Sequence, residues 1–85
     1  MSERPRTWII QTLSPAMISR SRVIAKGRRI RDVERLVAYY GGNASRWVKK
    51  SSPRLEDDEG FFELHWYEHP GIGQVELKRK QVNER

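Results

Sequence analysis

Apolar residues cluster into short runs along this chain, and their spacing predicts a small set of elements. After a polar start, Thr7 to Leu13 (TWIIQTL) is a short apolar run that reads as a strand or as a packed arm. Ser14-Pro15 is a helix-start signal, a capping hydroxyl followed by proline at the first helical position. From there Met17, Ile18, Ser21, Ile24 and Ala25 would share one helical face, although Ser19 to Lys26 reads equally as extended chain. Beyond Gly27, the positions Ile30, Val33, Leu36, Val37 and Tyr40 follow the rhythm of an amphipathic helix over about 30–40, which Gly41-Gly42 ends. Trp47 to Ser51 predicts a short strand. Phe61 to Glu68 alternates, with Phe62, Leu64 and Trp66 on one side and Glu63, His65 and Tyr67 on the other. Gln74 to Lys80 alternates again, and Pro70-Gly71-Ile72-Gly73 joins the two runs as a hairpin turn.

These elements predict one α+β domain spanning 1–85, frayed over 1–6 and 81–85. An N-terminal helical part should pack on a small antiparallel sheet of three to four strands. The 62, 64, 66, 75, 77 face would meet Val33, Leu36, Val37 and Tyr40, leaving the other sheet face polar. With 70–73 as the loop, His69 would face Gln74, Tyr67 would face Glu76, His65 would face Lys78 and Glu63 would face Lys80. Directly opposed side chains lie about 4.5–5.5 Å apart at Cβ.

Composition narrows the chemistry. Hydrophobic residues make up 36% of the 85, so the core must be small. There is no cysteine, which excludes disulfides, thiolate metal clusters and cysteine nucleophiles. Two histidines do not make a conventional zinc site, and Glu56-Asp57-Asp58-Glu59 lacks the spacing of a calcium loop, so no metal or cofactor is expected. No apolar stretch is long enough to span a membrane or to serve as a secretory signal, and a cytoplasmic setting is the expectation.

Charge is unevenly placed. Residues 1–54 carry 13 basic and 3 acidic side chains, and residues 55–85 carry 4 basic and 8 acidic ones. Arg20, Arg22, Lys26, Arg28, Arg29 and Arg31 form a run without an acid, and Lys49 and Lys50 extend it. Arginine forks suit phosphate, so this run predicts binding to nucleic acid; a solvated basic surface is the plainer reading. On the polar sheet face, His65, Glu63, Tyr67 and Lys78 bring together an imidazole, a carboxylate, a phenol and an ammonium. That mixture suits RNA phosphodiester cleavage, which needs a base for the 2′-hydroxyl, an acid for the leaving 5′-oxygen and cations for the transition state. An ordinary charged-pair surface is the alternative.

The stretch Glu63-Leu64-His65-Trp66-Tyr67-Glu68, then Gly71-Ile72-Gly73 and Glu76-Leu77-Lys78, after Arg29 to Val33 and Tyr40-Gly41-Gly42, resembles the small C-terminal toxin domains of bacterial polymorphic and contact-dependent toxin systems. Some of those domains share the barnase/EndoU/RelE-like ribonuclease fold. The resemblance implies a metal-independent ribonuclease toxin, with RNA as substrate and an acidic immunity protein or antitoxin as partner. His65 matches the motif's histidine, and Tyr67 and Lys78 its other polar members. A non-catalytic nucleic-acid-binding module and a small phage or bacterial regulator that binds protein are the competing expectations.

Overall fold

The structure, a computed structural model, describes residues 13–82. A short helix α1 (Pro15–Ser19) leads into strand β1 (Arg22–Lys26) and a 3₁₀ turn over Gly27–Arg29. Helix α2 (Val33–Tyr40) follows, then a 3₁₀ turn over Ala44–Arg46 and strands β2 (Val48–Ser51), β3 (Leu55–Asp57), β4 (Gly60–His69) and β5 (Gly73–Val82). The apolar run before Leu13 lies outside the described residues.

The expected helical part on a three- to four-stranded sheet is overturned. Among the described residues the fold is a five-stranded antiparallel sheet, and the helix that precedes its edge strand β1 is the five-residue α1. Helix α1 starts as its sequence predicts, with the Ser14 hydroxyl accepting from the Met17 amide at 3.1 Å. It buries no residue, so nothing beyond its cap propagates it. The β-branched pair Val23-Ile24 then favours extended chain, and residues 22–26 pair with β2. At the other end β5 continues through Gln81 and Val82, which were expected to fray.

Strand β4 is the spine. Its 65–68 half pairs with β2 and its 60–62 end with β3 along one edge, while β5 runs along the other. Ser52 bridges the break between β2 and β3. Its amide donates to the Leu64 carbonyl at 2.8 Å and its hydroxyl accepts from the Leu64 amide at 2.9 Å. A side-chain oxygen thus stands in for the missing ladder carbonyl.

Helix α2 buries Val33 and Leu36 against Ile30 and Trp47, with Ala25, Val37, Ala44, Tyr67 and Val75 packed around them. Leu36 and Trp47 are both fully buried, each worth roughly 1.5–3 kcal/mol of burial. The Trp47 indole also donates to the Gly41 carbonyl at 3.1 Å, satisfying an acceptor at the end of α2. Trp47 is therefore core. The helix sits on the Tyr67 and Val75 side of the sheet, not on the Leu64 and Trp66 side as the alternation implied. Leu64 and Trp66 are buried on the opposite face, where Trp66 and Leu77 line one cleft with Leu13 and Ile18.

The reason for the misplacement is a bulge. His65 faces Lys78 and Glu63 faces Lys80 as expected, but Tyr67 faces Val75 rather than Glu76, and His69 faces Gly73. Trp66 thus stands opposite two residues, Glu76 and Leu77. Glu76 has φ +58°, a left-handed conformation rare for a residue with a Cβ. The bulge puts Val75 beside Tyr67, where both join the core under α2.

Candidate functional site

Helix α2 covers only one end of its sheet face. Beyond the helix the same face carries Ser51, which is fully buried, and Glu63 and His65, whose side chains are 15% and 16% exposed, so the site shares a face with the helix instead of lying behind the sheet. One row across the strands places Arg22, Ser51, His65 and Lys78 side by side, and the next places Ala25, Lys49, Tyr67 and Val75. A recess of about 80 Å³ is lined by Lys49, His65, Trp66, Tyr67, Glu76, Lys78 and Lys80. This volume accommodates a group the size of a phosphate.

Glu63 borders this recess through His65. Its Oε1 lies 3.0 Å from His65 Nε2 and 3.1 Å from the Ser51 hydroxyl, and its Oε2 lies 3.4 Å from an Arg22 guanidinium nitrogen. The bond from His65 holds the Glu63 carboxyl below the usual carboxylate range; Ser51 and Arg22 add to it, and together they outweigh partial burial. Ser51 is fully buried and its single hydroxyl proton also has the Ser52 carbonyl within 2.8 Å. An ionised Glu63 accepts a hydrogen bond from the Nε2–H of His65, so Nδ1 is the ring nitrogen turned away from that carboxylate. Burial pushes the Tyr67 phenol above its ordinary value, so it stays a proton donor at neutral pH. Lys49 approaches the Tyr67 ring at 5.8 Å from its centroid.

The far side of the recess is held by Glu76. Its carboxylate accepts from both terminal nitrogens of Arg35, at 2.9 and 3.0 Å, and from the Tyr40 hydroxyl at 2.8 Å. The Arg35 bond, then that of Tyr40, keep Glu76 below the usual carboxylate range against partial burial. This clamp ties α2 to the bulge of β5. Sequence reading missed it because glutamate carries no signal for a left-handed backbone. It also missed Ser51, whose place beside His65 follows only from the β2–β4 register.

The four residues assigned to catalysis come together: His65, Tyr67 and Lys78 line the recess, and Glu63 holds His65. The eight assigned to nucleic acid do not form one patch. Lys49 joins the recess. Arg22 reaches Glu63 and the Ser52 carbonyl. Lys50 points to the other face, 3.6 Å from a Glu68 oxygen, beside the Trp66 indole that donates to the same carboxylate. Burial pushes Glu68 up, yet those hydrogen bonds and the Lys50 charge hold it below its ordinary range. Arg20, Lys26, Arg28, Arg29 and Arg31 are exposed around β1 and the 3₁₀ turn, away from the lining of the recess, and Arg28 lies 3.9 Å from Glu34. His69 packs its ring on Trp47 and accepts from the Gly71 amide through Nδ1, outside the recess.

No helix among the described residues is long and apolar enough to cross a membrane. The chain matches no family model, no curated protein and no solved structure.

Proposed function

We propose that this protein is a ribonuclease that cleaves RNA without a metal at the His65 recess. The observation that carries the reading is the Glu63–His65 pair set beside a phosphate-sized hollow ringed by Lys49, Lys78, Lys80 and the Tyr67 phenol. In this mechanism the three ammonium groups hold the scissile phosphate and stabilise the charge that grows on it. His65, with its tautomer set by Glu63, takes the 2′-hydroxyl proton, and the 2′-oxygen attacks phosphorus. Tyr67 donates to the phosphoryl oxygens, and the leaving 5′-oxygen collects its proton from the imidazolium or from water. Such an enzyme acts where RNA is, in the cytoplasm, and the resemblance to toxin domains adds an acidic immunity protein or antitoxin as its natural inhibitor.

The test is incubation of total RNA with the protein in EDTA, wild type beside His65→Ala. Discrete fragments from wild type alone are expected, with RNA affinity by gel shift little changed. Equal turnover by His65→Ala would refute the assignment. Intact RNA with both proteins, under conditions where a gel shift shows binding, would leave a non-catalytic nucleic-acid-binding module.

A further inference from the structure

Strand β1 forms an outer edge of the sheet: among the described residues it pairs only with β2. Two branched aliphatic side chains stand exposed on it, Val23 at 51% and Ile24 at 41%. Val23, Ile24, Ala25, Lys26 and Arg29 line a shallow groove along this edge. Open sheet edges are usually protected because their free amide and carbonyl groups template further pairing. Here the protection is a bulge at Ile24, where the register with β2 shifts between Val23 and Ala25, together with charge: Arg20, Arg22, Lys26, Arg28 and Arg29 flank the apolar pair along the chain, and no acid lies between residues 20 and 31.

We propose that β1 is a docking edge for an extended, acidic segment of a partner protein, which adds to the sheet as a further antiparallel strand. Main-chain hydrogen bonds on either side of the Ile24 bulge supply the affinity, and apolar side chains of the segment meet the exposed Val23 and Ile24. Acidic residues between them meet the arginines and lysine. The charge pattern selects the occupant. A second copy paired antiparallel through the same edge would set Arg22 of one chain beside Lys26 of the other, and like charges opposed across strands are destabilising. RNA is the less suited polyanion at this edge: the groove offers branched aliphatics and no aromatic ring on which a base could stack. The inference stands independently of the ribonuclease reading, because none of the groove residues lines the recess.

The experiment uses the full chain, labelled with nitrogen-15, and a capped peptide of about ten residues alternating glutamate with valine. At low salt the amide shifts should move over residues 22–26, and the outward β1 amides should gain protection from hydrogen exchange. The affinity should fall at least about tenfold at high salt. It should fall by a similar factor for Val23→Glu or Ile24→Glu, which lie on the surface and leave the amide spectrum dispersed. A matched lysine–valine peptide should not bind. The proposal is overturned if no shifts appear at about 1 mM peptide, if the lysine peptide binds equally, or if the shifts centre on Lys49, Lys78 and Lys80. It also fails if oligouridylate produces the same β1 shifts without regard to Val23 and Ile24. Dimerisation that depends on Val23 would overturn it as well. So would outward β1 amides already protected in the free protein, since another strand would then hold the edge.

Discussion

Replacing Glu76 separates the cost of its backbone from the value of its side chain. Glu76→Ala and Glu76→Gly both remove the carboxylate from Arg35 and Tyr40, so the loss of that clamp cancels between them. What differs is φ +58° at a position opposite Trp66. A Cβ in the left-handed region costs roughly 1–2 kcal/mol, whereas glycine adopts it freely. Against this, glycine gives up more unfolded-state freedom, roughly 0.5–1 kcal/mol. The balance leaves Glu76→Gly more stable than Glu76→Ala by about 1 kcal/mol, the reverse of the usual order inside a strand. For a domain of this size that is about 4–8 °C in melting temperature. Urea titrations followed by tryptophan fluorescence would measure it, with equal slopes for the two variants showing that the same surface unfolds. An alanine variant as stable as glycine, or more so, would refute the claim that the bulge stores backbone strain. Glu76→Asn should fall between them, since asparagine tolerates this conformation better than alanine.

Two further outcomes follow from the same geometry. Gly42→Ala should destabilise the fold by about 1–3 kcal/mol, because the residue has φ +82° and an added Cβ would lie 2.5 Å from His69 Nε2; differential scanning calorimetry would record it, and an unchanged melting temperature would contradict the packing of His69 on that loop. Acid should unfold the protein through Glu63, Glu76, Glu68 and Asp57, all held below the ordinary carboxylate range in the fold. Each contributes stability that is fully present above the unfolded value near 4 and is lost as pH falls through the lower folded value. The urea midpoint should therefore drop as pH falls below about 4, and Glu76→Gln should flatten part of that slope.

The hairpin was legible because its signals are local. Period-two alternation in Phe61 to Glu68 and Gln74 to Lys80, with prolines and glycines between, specifies both strands and the Glu63–Lys80 and His65–Lys78 pairs. The end of α2 was legible for the same reason, at Gly41. The side on which α2 packs was not. Alternation says which residues share a face but not which face receives the helix, and an unsignalled bulge at Glu76 moved Val75 to the Tyr67 side. The N-terminal third misled because Ile24 and Ala25, read as the end of a stripe begun by Met17 and Ile18, lie instead in strand β1, and the helix that Pro15 opens buries no residue. The basic residues were read as one patch from their order in sequence. In the sheet, successive residues point to opposite faces, so Lys49 and Lys50 part company and the arginines before them gather at the edge. The nearness of His65 to a carboxylate, a phenol and a lysine was legible from strand alternation alone; Ser51 and Arg35 come near it only through long-range pairing.

The rows across the sheet have a consequence for how the site can vary. Ser51, His65 and Lys78 stand on neighbouring strands, and Lys49 and Tyr67 on the next row. Strand spacing of about 4.8 Å therefore acts as a ruler that sets the separation of these side chains. No loop takes part in that measurement. The Pro53–Arg54 break, the acidic turn after Asp57 and the 70–72 hairpin loop can lengthen, shorten or change charge while the rungs keep their distances. Change in such a chain should accumulate at its turns and spare its dimensions at the centre, much as a ladder keeps its spacing when its ends are recut.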